Sequence, residues 1–147
     1  MNIEDFSDLK QRNGEDFPCK AETHAIIGFA FSVLNELGHG LNEKLYENSL
    51  VVEFKRNGVA FDQQRRFEVL YKGEYVGEHI PDLIAYGMVV VDTKCIERIT
   101  DHERGQMLNY LRITKFPVGL LLNFKHAKLE YERIVLSTAD KRNFNRR

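Results

Sequence analysis

Two cysteines, Cys19 and Cys95, are all that the 147-residue chain contains, and they lie far apart. So sparse a set offers neither a disulfide framework nor the spacing of a thiolate metal site; reduced thiols in a cytoplasmic protein are expected. The histidines are scattered (His24, His39, His79, His102 and His126) and none has HExxH spacing, which argues against a zinc site. No apolar run reaches the length of a membrane span, and the polar, acidic stretch 1–20 has no apolar h-region of a signal peptide. Ser32, Ser49 and Ser137 lack a nucleophile-elbow context, so a serine hydrolase is not expected. Gly38 and Gly40 follow no strand, so they form no dinucleotide fingerprint. The net charge of -1 supplies no global field for nucleic acid, so any such surface must be local. No repeat, low-complexity tract or second domain is visible.

What is present is ordinary globular material: 43% hydrophobic and 29% charged, enough to exclude a disordered chain. The length suits one domain. Residues 1–20 lack a period and read as an arm, 21–139 as the domain, and 140–147 as a basic tail. Ile26, Ile27, Ala30, Val33, Leu34 and Leu37 recur at helical spacing and predict a helix over 21–37, ended by Gly38-His39-Gly40. A second helix is predicted over 42–57, capped by Asn42, with Tyr46, Leu50 and Phe54 on one face. Short β-rich runs follow at 59–62, 67–71, 75–79 and 82–85, with a turn at Lys72-Gly73-Glu74. The three valines of 88–94 predict a strand buried on both faces. Thr100-x-x-Glu103 is a capping box opening a third helix to about Arg112, and strands are predicted over 118–124 and 129–136.

Three features are not explained by fold-building alone. Glu43 stands in the first turn of the second helix, near the face of Tyr46 and Leu50. By itself it is a carboxylate favoured by the helix dipole, worth ~0.3–1 kcal/mol. Asp92 and Lys94, two apart on a strand, project to one side at the end of a valine run. A strand emerging into solvent would explain them, except that Asp82 also interrupts an apolar run, Ile80-Pro81-Asp82-Leu83-Ile84. His102, Gln106 and Tyr110 form a polar stripe on the third helix, above the core positions Met107, Leu108 and Leu111. Two carboxylates on adjacent strands suit Mg²⁺ or Mn²⁺, which takes oxygen ligands, with Thr93 and Glu43 as possible further ligands. Lys94 would orient water or offset developing negative charge. Arg65-Arg66, Lys125-His126-x-Lys128 and the basic tail are candidate nucleic-acid contacts, although such pairs are usually plain solvated surface.

Pro81-Asp82, a spacer and Asp92-Thr93-Lys94 resemble the PD-(D/E)xK signature. Gly40-Leu41-Asn42-Glu43-Lys44-Leu45-Tyr46 reads GxxExxY, the hallmark of a small bacterial and archaeal family of that nuclease superfamily. Gln106 to Tyr110 reads QxxxY, similar to the RecB-like branch, and 118–124 resembles the family's late strand. The resemblance covers about residues 22–136, and the ordered set of motifs is far more specific than any one of them. It implies an α/β fold with a central mixed β-sheet flanked by helices, a restriction-endonuclease-like core. It also implies site roles for Glu43, Asp82, Asp92 and Lys94, supported by Gln106 and Tyr110. Thr93 stands where relatives usually carry an apolar residue, and Pro81 where this family often differs; neither removes a site group. The implied activity is metal-dependent hydrolysis of phosphodiester bonds in DNA or RNA. The alternative is a non-catalytic module of the same fold for nucleic-acid binding or self-assembly, with a homo-oligomer or a targeting partner protein.

Overall fold

The computed structural model describes residues 17–136; the expected tail 140–147 and most of the expected arm lie outside them. Of the arm, Phe17 is described, and it is buried in the core. Helix α1 runs Lys20–Leu37 and α2 runs Glu43–Arg56. Strands β1 (Phe61–Gln63), β2 (Phe67–Tyr71), β3 (Glu74–His79), β4 (Leu83–Ala85) and β5 (Val89–Lys94) follow. Helix α3 spans Asp101–Thr114, then come β6 (Val118–Asn123) and β7 (Glu130–Val135).

Five strands form one mixed sheet in the order β1-β4-β5-β6-β7. Only β5 and β6 are parallel, because α3 carries the chain back across the sheet between them. The β2–β3 hairpin stands apart as its own two-stranded sheet, which the strand-like texture of 59–85 did not reveal. The first strand also begins two residues later than predicted, at Phe61.

Register shows which helix covers which face. Gly119, Leu121 and Asn123 alternate with Val118, Leu120 and Leu122 along β6. Glu132 pairs with Leu121 and receives two bonds from the Arg104 guanidinium of α3, at 2.7 and 2.6 Å. Arg133 pairs with Leu120 and donates from Nε to Thr23 Oγ1 of α1 at 2.8 Å. Helices α1 and α3 therefore flank opposite faces. Val90, Asp92 and Lys94 pair with Gly119, Leu121 and Asn123, so they share the α3 face.

The expected core is observed on α2 and α3: Tyr46, Leu50, Phe54, Met107, Leu108 and Leu111 are all fully buried. Leu37 departs from its predicted stripe and is 42% exposed, because α1 ends at Gly38 before another element covers it. The Thr100 capping box is formed, with both reciprocal bonds present.

Helix α3 approaches β6 closely because Gly119 has no side chain. A Cβ there would collide with Sδ and Cγ of Met107. Gly119→Ala is expected to lower stability by about 1–3 kcal/mol, the usual cost of overpacking a close-packed core. Equilibrium urea denaturation checks this, and an unchanged midpoint would show that Met107 repacks freely.

Candidate active site

The site begins with a strand that stops early. The β4–β5 ladder ends at Leu83 opposite Val91. Pro81, just upstream, has no amide hydrogen to extend a ladder. The Thr93 amide lies beyond that end, and Asp82 accepts its hydrogen at Oδ2 over 3.1 Å, together with the Thr93 hydroxyl at 3.3 Å. Thr93 is thereby the group that aims Asp82, a role its position between acid and lysine did not signal.

On the α3 face, Asp92 is buried and Lys94 Nζ lies 3.3 Å from its Oδ2. Burial, together with a hydrogen bond to Asp82 and the Asp82 charge, pushes the Asp92 carboxyl up to about 8, against the opposing pull of Lys94. The raised Asp92 carboxyl keeps its proton near neutral pH. Burial pulls the Lys94 ammonium down, but Asp92 and, more weakly, Glu43 outweigh it and leave it above its ordinary value. Tyr110 is pushed up by burial and then by Asp92, so its hydroxyl stays protonated near neutral pH.

Glu43 reaches the site from α2. Its Oε1 accepts the Cys95 amide hydrogen at 3.1 Å, one residue beyond Lys94. The loop before it is tied down by the motif's own tyrosine: Tyr46 donates to the Gly38 carbonyl (2.7 Å) and accepts from the Leu41 amide (2.9 Å). The Tyr46 ring stacks on Phe124 at 4.3 Å, and the Gly40 amide donates to the Phe124 carbonyl. Gly40 has φ +78°, a left-handed conformation that glycine adopts without penalty. GxxExxY is therefore a loop clamp that presents Glu43 to the end of β5.

Gln106 is half-buried one turn before Tyr110 on α3. His79, one of the scattered histidines, closes β3 with its ring stacked on Tyr110 at 4.0 Å. Burial lowers its basicity while Asp82 partly restores it, which places His79 within the field of the site. Spacing held no sign of this, because the hairpin folds back from the chain segment preceding Asp82.

Among the described residues, no group of three or more His, Cys, Asp and Glu side chains is arranged to hold a metal ion. Asp82 and Asp92 form the convergent pair. Two converging carboxyl groups are a donor set suited to a hard divalent cation, which relieves their repulsion and accepts oxygen ligands. The candidate basic contacts differ in setting: Arg65 and Arg66 pair loosely with Asp62 and Glu78 at 3.5 and 3.7 Å, and His126 Nε2 lies 2.9 Å from the Glu97 carbonyl oxygen. Cys19 and Cys95 are both free thiols. No helix among the described residues is long and apolar enough to cross a membrane.

Comparison with known proteins agrees with this fold. The family model of the PD-(D/E)XK nuclease superfamily matches residues 20–134. The chain belongs to that superfamily. Among solved structures, an alkaline exonuclease from Laribacter hongkongensis is similar with a TM-score of 0.50 and 10% identity, over 91% of this chain and 78% of that one. The crystal structure of SSO0001 is similar with a TM-score of 0.50 and 16% identity, over 70% of this chain and 55% of that one. The chain thus spans little more than half of SSO0001, and at these identities the likeness shows the fold. No curated protein matches the chain in sequence.

The raised Asp92 carboxyl has a measurable consequence. The folded-state value of Asp92 is raised, so the folded protein keeps a proton that the unfolded chain releases. This group's contribution to stability is full at acid pH and is lost as pH rises toward about 8. In metal-free protein, the Asp92 carboxyl carbon should titrate near 8 by NMR. Asp82→Asn removes one raising charge and should lower that midpoint while burial keeps it above the ordinary range. An unmoved midpoint would separate the two carboxyls.

Proposed function

We propose that the protein is a divalent-metal-dependent nuclease that hydrolyses phosphodiester bonds in DNA or RNA. The observation that carries this reading is the Asp82–Asp92 contact with the Lys94 ammonium beside it, set in a PD-(D/E)XK fold. Asp82 and Asp92 are the residues that would hold Mg²⁺ or Mn²⁺, with Glu43 and the Thr93 carbonyl as further candidates. Bound there, the cation supplies positive charge against the phosphoryl oxygens and favours deprotonation of the attacking water.

The protein's own groups divide the remaining work. Lys94 stays protonated and offers hydrogens to the negative charge that develops on the scissile phosphate. Glu43, beside the same strand end, contributes to the charge that keeps Lys94 protonated. Tyr110, stacked on His79, is a neutral donor facing the same groups, and Gln106 extends that polar stripe toward the phosphate backbone. The similarity of the fold to that of an alkaline exonuclease supports a nucleic-acid substrate.

Purified protein incubated with single- and double-stranded DNA and RNA should cut at least one of them with Mg²⁺ or Mn²⁺, and EDTA should abolish cutting. Lys94→Ala is expected to lower kcat by about 10²–10³-fold, the range for losing one preorganised donor. Asp92→Ala should remove activity while the far-UV spectrum stays native. Absence of cutting by folded wild-type protein would instead favour a binding or assembly module.

A further inference from the structure

We propose that Glu47 is a positioning residue for the site: its buried carboxylate clamps a strained turn at Gln64, and that turn holds the backbone of Asp82. This rests on the reading of Asp82 as a site acid.

Glu47 lies on α2 one turn beyond Glu43 and is only 3% exposed. Carboxylates are rarely buried this deeply without partners. Glu47 accepts from Lys44 Nζ at 2.7 Å, from Gln63 Nε2 at 2.5 Å, and from Gln64 Nε2 at 3.1 Å. Two of these donors belong to another element, the end of β1 and the residue after it. A buried ion pair is a weak source of net stability, so packing alone does not account for a carboxylate here.

The Gln64 contact explains it. Gln64 has φ +57°, a left-handed conformation that a residue with a Cβ adopts only under constraint. Its amide donates to the Asp82 carbonyl at 3.0 Å. The other end of Asp82, its carboxylate, is held by Thr93. Asp82 is therefore fixed at two points, and the backbone point depends on a turn that Glu47 holds by its side chain. Glu43 and Glu47 divide the work of α2: the first touches the exit of β5, the second the entry to β4.

The test uses the full chain and three readouts: amide hydrogen exchange at Gln64, Mn²⁺ binding by calorimetry, and cleavage kinetics. Glu47→Gln keeps the volume but places a donor among donors. It should speed Gln64 exchange and weaken Mn²⁺ binding by about 10–100-fold, as expected when a group supporting a metal ligand is lost. In cleavage, kcat should fall while KM holds. Adding Gln64→Gly should restore Mn²⁺ affinity, because glycine takes the left-handed turn unaided. A role in overall stability alone predicts instead that the folded fraction of Glu47→Gln binds Mn²⁺ with unchanged affinity. Should Glu47→Gln fail to fold, Gln64→Ala and Gln64→Gly replace it; both lose the amide, and the alanine variant should lose more Mn²⁺ affinity. Unchanged exchange and affinity in folded Glu47→Gln, or alanine and glycine behaving alike, would overturn the clamp. Wild-type protein that neither binds Mn²⁺ nor cuts would overturn the nuclease reading instead, and Gln64 exchange would still decide the clamp.

Discussion

Two carboxyl groups pressed together at the buried end of a valine strand are the constraint on which the rest of the site depends. Water cannot dissipate the charge of Asp92, which is buried beside the parallel strand β6. The protein meets that cost with a raised proton affinity of Asp92, a flanking ammonium and a carboxylate aimed by Thr93. Each device also holds one of these groups in a fixed place. The same low-dielectric setting that makes the pair unfavourable makes each remaining charge effective.

The sheet explains how such a pair arises at all. A short β4 and a longer β5 leave the last residues of β5 without a partner on one side. The Asp82 side chain occupies that gap, substituting for strand backbone. On the other side, β6 runs parallel and continues pairing through Lys94 opposite Asn123. Asn123 then anchors the exit, donating to the Ile96 carbonyl and the Glu130 carboxylate and accepting from the Ile96 amide. The end of β5 is thus held on both sides.

Much of this was legible in residue order, and the reason is periodicity. Asp92 and Lys94 share a face because strands repeat every two residues, and Tyr46, Leu50 and Phe54 are buried together because helices return every four. Features that depend on where an element stops were not legible. Thr93 aims Asp82 only because β4 ends two residues short. Glu47 resembled any polar residue on an exposed helix face, yet the turn after β1 folds over it. His79 reaches Tyr110 only because the hairpin separates from the main sheet. Leu37 kept its period but lost its cover. Local pattern specifies which way a side chain points; it does not specify what arrives opposite.

The clamp around Tyr46 bears on how the protein is made. The loop that presents Glu43 is fastened to Phe124 and, through the His39 ring, to the Lys125 carbonyl at 3.1 Å. Those anchors leave the ribosome long after Asp82, Asp92 and Lys94 have been synthesised. Strand β6 also supplies the parallel neighbour that seals Asp92. A growing chain therefore carries every acidic group of the site well before it can assemble them. The acids of the candidate site therefore precede, in chain order, the strand that brings them together.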